Sequence, residues 1–147
     1  MSSIWFGKID LAAMNAPGEH INTLLDIRLE EHGDDWISAS MPVDSRTHQP
    51  YGILHGGASV VLAESVGSIA SHLCIDSSRF YCVGLEVNAN HLKAVKSGRV
   101  TALAKPLHLG RTTHVWDIRL SNEQGAMTCI VRLTMAIVPL ESGKKTA

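Results

Sequence analysis

The feature that most constrains the fold is the alternation of apolar and polar residues in the second half of the chain. Apolar side chains recur there at every second position, which is the period of a strand with one buried face. These positions are Val83, Leu85 and Val87; Val100, Ala102 and Ala104; Trp116, Ile118 and Leu120; and every second residue from Met127 to Ile137. Short turns at 96–98, 109–110 and 122–125 suit antiparallel neighbours. We interpret these stretches as three strands, some of them long.

A hairpin and one long helix are predicted before this sheet. Residues 25–29 and 37–43 alternate in the same way around a turn at 33–35, and residues 9–24 suggest short helical pieces. Between Ala58 and Cys74 the apolar residues recur at helical spacing, and many small residues leave room for close neighbours. The sequence predicts an α+β fold with about five antiparallel strands wrapped around one long helix.

Length and charge limit what such a chain can do. The 147 residues suit a single domain over 1–147, with a flexible tail at about 141–147. The 13 Lys and Arg against 14 Asp and Glu give no field that favours nucleic acid or an anionic membrane. No apolar run approaches the ~18 residues that would cross a bilayer. Cys74, Cys82 and Cys129 are odd in number and lack CxxC spacing, so we predict reduced thiols and a cytoplasmic protein.

The last predicted strand also suggests an oligomer. Its second face carries few charges: Thr128, Ile130, Arg132, Thr134, Ala136 and Val138. One helix covers only one face of a long antiparallel sheet, so we expect a second copy of the chain to cover part of the other.

Candidate catalytic residues concentrate between Gln49 and Ser68. The run His55-Gly56-Gly57 leads directly into the predicted helix, whose first turn presents unpaired N–H groups and the positive end of the helix dipole. Glycine lets a carbonyl approach the backbone, so the Gly56 N–H is a candidate donor to an oxyanion. Glu64 has small and apolar neighbours in sequence and is a candidate general base or nucleophile, with Ser68 one turn further on.

Other interpretations of these residues stay open from the sequence alone. An isolated Glu is most often a solvent-facing helix residue, and a loop His is most often solvated or a helix cap. A zinc site of His48, His55 and Glu64 lacks a supporting His-x3-His pair or Cys ligand, and no metal is predicted. A serine hydrolase on Ser59 or Ser65 lacks the GxSxG turn.

Residues 42–75 resemble a known family when they are taken with VGLEVNANHLKAVKSGRV and KPLHLGR downstream. The family is the hotdog-fold thioesterases of the 1,4-dihydroxy-2-naphthoyl-CoA hydrolase type, and the resemblance keeps one register from about Ile4 to Val138. It implies a helix wrapped by an antiparallel sheet, a homodimer and usually a homotetramer. The catalytic roles that it implies are a base or nucleophile for Glu64, an oxyanion donor for Gly56, orientation of the thioester for Gln49 and His55, and a place beside the attacking water or Glu64 for Ser68.

The same resemblance implies a coenzyme A site shared between subunits. Glu64 and the Gly56 loop of one site come from opposite subunits, so a monomer is expected to be inactive. The positions that match the family's CoA-binding residues are Gly84; His91, Leu92, Lys93 and Ala94; and His108, Leu109, Gly110, Arg111, Thr112 and Thr113. From the residues alone, the cations Lys93, Lys96, Arg99, Lys105 and Arg111 could hold phosphates or could be solvated charges at strand ends.

The sequence predicts a thioester hydrolase without a cofactor, since coenzyme A is part of the substrate. The expected substrate is an aromatic acyl-CoA, first 1,4-dihydroxy-2-naphthoyl-CoA of menaquinone biosynthesis, because LEVNANHLKA, Val66 and Ile69 resemble that group. Alternatives are a proofreading thioesterase for an aroyl carrier protein and a non-enzymatic acyl-CoA-binding module that would not need Glu64. A hotdog hydratase is a further alternative and would need a His paired with Asp or Glu at the acyl chain.

Overall fold

The computed structural model describes residues 2–141, and the chain begins with two single-turn helices. They are α1 (Leu11–Met14) and α2 (Ile21–Leu24), in agreement with the short helical pieces predicted for residues 9–24. Residues 142–147, which make up most of the predicted tail, lie outside the described part. No helix within the described residues is long and apolar enough to cross a membrane.

The first strand begins later than the alternation predicted. β1 (Arg28–His32) follows Asp26, whose φ of 52° lies in the left-handed region. Leu25 is the C-cap residue of α2, and its N–H donates to the Ile21 carbonyl at 3.0 Å. A residue in the left-handed conformation cannot continue a strand, so residues 25–27 form a turn despite their alternation. β2 (Ile37–Pro42) pairs antiparallel with β1, which confirms the hairpin.

Six strands, one more than expected, form a single antiparallel sheet. The last four are β3 (Phe80–His91), β4 (Arg99–Leu109), β5 (Thr113–Ser121) and β6 (Met127–Pro139). The strand order is β1-β2-β4-β5-β6-β3, and every neighbouring pair is antiparallel. The turn at 96–98 was expected to join neighbours, but β3 lies at the sheet edge beside β6. The chain therefore crosses from that edge to β4 in the sheet interior, and the four alternating stretches are four separate strands.

A β-bulge in β3 changes which of its residues face the helix. Gly84 lies opposite Met135, whereas Glu86 lies opposite Thr134, so Leu85 is an extra residue in the pairing with β6. Val87 consequently packs against the core, while Val83 and Leu85 are 45% and 62% exposed. The prediction that Val83, Leu85 and Val87 share one buried face was wrong, because a bulge interrupts the two-residue period.

The long helix, α3 (Gly56–Leu73), packs against strands β2 to β6 on one face of the sheet. Its small residues allow this contact to be close. A Cβ added to Gly67 would lie 2.5 Å from Leu133 Cδ2 and 2.8 Å from Ile118 Cδ1. Glycine at this position therefore lets side chains of β5 and β6 pack directly against the helix backbone. This arrangement confirms the predicted α+β hotdog architecture of a sheet wrapped around one central helix.

A buried polar network fixes the C-terminal half of α3 to the sheet. The Ser71 hydroxyl accepts a hydrogen bond from Trp116 Nε1 at 2.7 Å and lies 3.2 Å from His114 Nδ1. All three residues are buried, and burial lowers the pKa of His114, with a further contribution from the charge of His108. The three polar groups therefore satisfy one another inside the core.

Candidate active site

His55 closes the loop that leads into α3. It is the N-cap residue, and its Nδ1 accepts a hydrogen bond from the Gly57 N–H at 2.8 Å. Nδ1 therefore carries no proton in this arrangement, and the ring proton lies on Nε2. The loop is held by the His55 N–H, which donates to the Thr47 carbonyl, and by the Leu54 N–H, which donates to the Val95 carbonyl, each at 2.8 Å. His55 thus acts as a helix cap and still has one donor nitrogen to offer.

Gly56 is the first residue of α3, so its N–H has no acceptor within the helix. The positive end of the helix dipole lies at the same point, which makes this N–H suitable for binding a negatively charged oxygen. The absence of a side chain has a reason that the sequence did not reveal. A Cβ on Gly56 would lie 2.9 Å from His91 Nε2, so the imidazole of β3 occupies that space.

A cleft of about 410 Å³ at the N-terminus of α3 brings two predicted groups together. One group is Gln49 and Gly56, and the other is His91–Ala94 from the predicted CoA set. Gln49 Oε1 accepts a hydrogen bond from the Tyr51 N–H, which leaves the Gln49 amide N–H groups as donors. The cleft is also lined by Leu54, Ile53, Ser59 and Thr128, which the sequence analysis did not assign to the site. Ile53 and Leu54 lie in the loop before α3, Ser59 on α3 and Thr128 on β6, and no sequence motif connects these positions.

Glu64 lies two turns further along α3, on the flank that faces β3. The side chain is half-buried, and its Oε1 is 2.9 Å from the position that a Cβ on Gly84 would occupy. Glycine at position 84 therefore makes room for the carboxylate, which places Gly84 against the predicted catalytic residue. Within residues 2–141 none of the ion pairs involves Glu64.

Ser68 lies one turn beyond Glu64 and is also directed towards β3 and β6. Its hydroxyl is 3.7 Å from Met135 Sδ, and its carbonyl accepts from the Cys82 thiol at 3.7 Å. Both contacts involve sulfur and are weak. The hydroxyl can therefore change partner at low cost when a polar ligand lies beside Glu64.

The remaining CoA candidates lie at the other end of α3. Leu109, Gly110 and Arg111 line a second cavity of about 510 Å³, together with Arg79, Phe80 and His114. Because α3 spans Gly56 to Leu73, the two predicted CoA groups are separated by ~27 Å along the helix at 1.5 Å per residue. His108 packs over Gly110, and the carbonyls of Thr112 and Thr113 accept backbone hydrogen bonds in the turn before β5.

Arg79 and Phe80 were missed in this second cavity. The Arg79 guanidinium lies 5.3 Å from the centre of the Phe80 ring, a distance at which cation and ring attract each other. They follow the helix in a segment whose sequence carries no motif.

Cys74 lines the same cavity, and burial raises the pKa of its thiol to about 12. Cys74, Cys82 and Cys129 are all free thiols, as predicted.

The predicted cationic set does not form one cluster. Lys93 lines the cleft at the start of α3, whereas Arg99 is bound elsewhere: its Nη1 pairs with Asp26 Oδ2 and its Nε donates to Ser40 Oγ, both at 3.0 Å. Burial opposes ionisation of Asp26, but hydrogen bonds from Arg28 and Arg99 outweigh it and lower the pKa of this carboxyl. Arg99 therefore stabilises the turn before β1.

Val66 and Ile69, which resemble the naphthoyl-CoA hydrolase group, have different surroundings in the structure. Val66 is fully buried against the sheet and cannot rim a pocket. Ile69 lines a cavity of about 330 Å³ beneath the N-terminal segment, together with Met14, Asn15 and Pro17. Ile69 lies at the border of the same helix face and is only partly buried against the core.

The fold and this arrangement of donors and carboxylate define the class of protein. The sequence model of the Thioesterase superfamily matches residues 51–129, and the chain belongs to that family of thioester hydrolases.

Three relatives resemble the chain over nearly its whole length. The crystal structure of a mutant thioesterase from Pseudomonas aeruginosa is 64% identical, with a TM-score of 0.93 over 94% of this chain and 100% of that one. The 1,4-dihydroxy-2-naphthoyl-CoA hydrolase of Escherichia coli is 54% identical over 92% of this chain and 99% of its own length. A proofreading thioesterase of Cronobacter turicensis is 44% identical over 92% of this chain and 98% of its own.

Proposed function

We propose that the protein hydrolyses an aromatic acyl-coenzyme A, with 1,4-dihydroxy-2-naphthoyl-CoA as the first candidate substrate. The observation that carries this proposal is the half-buried Glu64 carboxylate, which lies against Gly84 on the flank of α3. The likeness to the E. coli hydrolase of that name supports the choice of acyl group. The free thiols are consistent with a cytoplasmic enzyme of menaquinone biosynthesis, which stays part of the proposal.

Glu64 supplies the base or the nucleophile of the reaction. As a base it takes a proton from water while the hydroxide oxygen bonds to the acyl carbon, and as a nucleophile it first forms an anhydride that water then cleaves. The developing negative charge on the carbonyl oxygen is bound by the Gly56 N–H. Breaking the carbon–sulfur bond releases the coenzyme A thiolate. In the general-base route the thiolate takes up the proton held by Glu64 and the free acid remains; in the covalent route the anhydride remains, and its cleavage by water gives the free acid, restores Glu64 and supplies the proton to the thiolate.

The remaining polar groups orient the thioester. The Gln49 amide and His55 Nε2–H are donors close to Gly56, and Ser68 lies beside Glu64 for the attacking water. Lys93 in the cleft and Arg111 in the second cavity are the candidate partners for the phosphates. No cofactor takes part in this scheme.

The distance between the two catalytic groups favours a site shared by two chains. Glu64 follows Gly56 by eight residues, ~12 Å along the helix axis. The attacking group and the oxyanion donor must each come within about 3 Å of one carbonyl. A partner that brings its own Gly56 loop to Glu64 meets this requirement without distorting the helix.

The edge strand β3 is the surface on which we place that partner. It is 12 residues long, and Tyr81, Val83 and Leu85 on it are 37%, 45% and 62% exposed. A long apolar edge is a template for pairing with another strand. Antiparallel pairing of two β3 strands turns the partner's Gly56 end towards Glu64. Two such dimers make the homotetramer that the sequence predicts.

A hydrolysis screen over aromatic and aliphatic acyl-CoA esters tests the function. We expect the Glu64→Gln variant to keep its fold and lower kcat by a factor on the order of 10² or more. The matched control is Glu31→Gln, an exposed glutamate on β1, which should behave as wild type. Full activity of Glu64→Gln would refute the catalytic assignment, and inactivity of the wild type on every ester would refute the function.

A carrier-protein substrate is the second candidate, favoured by the likeness to the proofreading thioesterase. The comparison to make is kcat/KM for benzoyl-CoA or naphthoyl-CoA against an aroyl carrier protein. A tenfold preference for the carrier protein, equal to about 1.4 kcal/mol in transition-state binding, would replace the substrate proposed here and leave the thioester chemistry intact.

A further inference from the structure

His91, the last residue of β3, lies between the helix start and the last strand. Its Nδ1 is 3.5 Å from the Sγ of Cys129 on β6. Its ring also contacts Gly56, since a Cβ at that glycine would lie 2.9, 3.1 and 3.3 Å from Nε2, Cε1 and Cδ2. The imidazole is exposed and lines the cleft that contains Gln49 and Lys93.

The contact with Gly56 is made by the face of the His91 ring. Three adjacent ring atoms lie at nearly equal distances from the Cβ position, which holds for a point above the ring near Nε2. A point in the ring plane beyond Nε2 would be much farther from Cε1 and Cδ2 than from Nε2. The in-plane direction from Nε2, along which an N–H points, is therefore not blocked by Gly56.

Cys129 is the side chain in contact with His91 Nδ1, and this contact bears on which ring nitrogen carries the proton. Cys129 is fully buried, and burial raises the pKa of its thiol, so the sulfur keeps its hydrogen at neutral pH. That hydrogen has two acceptors in reach, His91 Nδ1 at 3.5 Å and the Ile130 carbonyl at 4.0 Å. The nearer one is an imidazole nitrogen, and a thiol sulfur is a poor acceptor for the reverse bond. When Nδ1 accepts this hydrogen, the ring proton is on Nε2.

We propose that His91 is a catalytic residue that donates its Nε2–H to the thioester carbonyl oxygen beside the Gly56 N–H, and that Cys129 is the positioning residue that fixes this tautomer. The inference rests on the proposed function and adds a second donor to the oxyanion site. It also explains why glycine is required at position 56: a side chain there would displace the donor ring. His55 on the other side caps the helix through Nδ1, so two imidazoles flank the Gly56-Gly57 pair.

The tautomer can be measured on the full chain without substrate. Long-range ¹H–¹⁵N spectra of ¹⁵N-histidine-labelled protein at pH 8 should show His91 as the Nε2–H form in the wild type. Cys129→Ala should shift the His91 signals towards a mixture of tautomers, while the control Cys74→Ala, at the far end of α3, should leave them in place. A wild-type Nδ1–H form, or no change in Cys129→Ala, would overturn the role of Cys129.

The donor role is tested by kinetics with benzoyl-CoA as the probe. His91→Leu should lower kcat about tenfold or more with little change in KM, because the donated bond strengthens as charge develops on the oxygen. His91→Gln keeps an N–H donor near the position of Nε2 and should recover most of that loss. His72→Leu, an exposed histidine in the last turn of α3, is the matched control and should equal wild type.

The possible outcomes separate this inference from the proposed function. If the wild type hydrolyses the ester and His91→Leu equals it, or if His91→Gln is as impaired as His91→Leu, the donor role is wrong and the function stands. A rise in KM alone would make His91 a binding contact and would also overturn the inference. If the wild type hydrolyses no thioester, the proposed function and the donor role fail together.

Discussion

The two ends of α3 differ in whether their hydrogen-bonding groups have partners within the protein. At the C-terminal end, the Leu73 carbonyl accepts from the Phe6 N–H at 2.8 Å, and Ser71 satisfies both Trp116 and His114. At the N-terminal end, the Gly56 N–H has no partner within the helix and faces an open cleft. Hydrogen-bonding groups are therefore paired within the protein at the C-terminal end, whereas a backbone donor at the N-terminal end is left for a ligand in the cleft.

The largest effect is expected from separating the subunits. If each site takes Glu64 from one chain and Gly56 from another, a charge on the β3 edge should abolish activity together with dimer formation. Val83→Asp places a carboxylate among exposed apolar residues of that edge. Light scattering combined with an activity assay gives the measurement, and Arg119→Ala on the interior strand β5 is the control. An active monomer would refute the shared site.

The N-terminal end can be tested by adding one carbon atom. Gly56→Ala should lower kcat by about 10² and leave stability almost unchanged, because the new Cβ would lie 2.9 Å from His91 Nε2 and disturb the oxyanion donors. Gly7→Ala is the matched control, since nothing lies within 4 Å of its Cβ position. Wild-type kcat in Gly56→Ala would mean that catalysis does not depend on the position of the His91 ring against residue 56.

At the C-terminal end we expect a loss of stability with retained activity. Ser71→Ala leaves the buried Trp116 Nε1–H and His114 without their shared partner, which should cost about 1–3 kcal/mol in the free energy of unfolding. Activity per folded molecule should be retained. Urea denaturation checks the first expectation, and Ser65→Ala on the partly exposed side of α3 is the control. A kinetic defect without a loss of stability would contradict the division between the two ends.

The smallest effect is the pH dependence of stability that His114 contributes. Burial lowers the pKa of this imidazole, so the unfolded chain binds a proton more readily than the folded one. The contribution is constant above about pH 6.5, the ordinary imidazole value, and is lost as the pH falls below it. The slope is at most about 1.4 kcal/mol per pH unit. As the pH is lowered from 8 to 5, the urea midpoint should fall less steeply in His114→Gln than in the wild type, and parallel curves would contradict this.

The sequence predicted the elements whose signals are local. The period of α3, the β1–β2 hairpin and the run from His55 to Glu64 can each be recognised within about 20 residues, and the helix start explains the candidate oxyanion donor. The family resemblance added the catalytic roles. These parts of the prediction depend on neighbours in the chain, and folding does not change those neighbours.

The parts that the sequence did not predict depend on contacts between distant segments. Gly84 lies against Glu64, and His91 lies against Gly56 and Cys129, yet no periodicity relates these positions. The sixth strand was missed for the same reason, since an alternating stretch does not say which neighbour it pairs with. Arg99 likewise looked like a phosphate ligand, and its partner Asp26 is 73 residues away.

The β-bulge at Leu85 changes which residues of the edge strand β3 face the helix. Before it, Cys82 and Gly84 face the helix, and after it the helix-facing set becomes Val87, Ala89 and His91. If the same residues, Leu85 included, were paired regularly without a bulge, Glu86, Asn88 and Asn90 would take those places and His91 would point away from Gly56. Deletion of Leu85 would remove the bulge and keep Val87, Ala89 and His91 on the helix side, whereas insertion or deletion of one residue beyond the bulge would exchange the two faces of the rest of the strand. In such a strand the residue count constrains evolution as strongly as residue identity does.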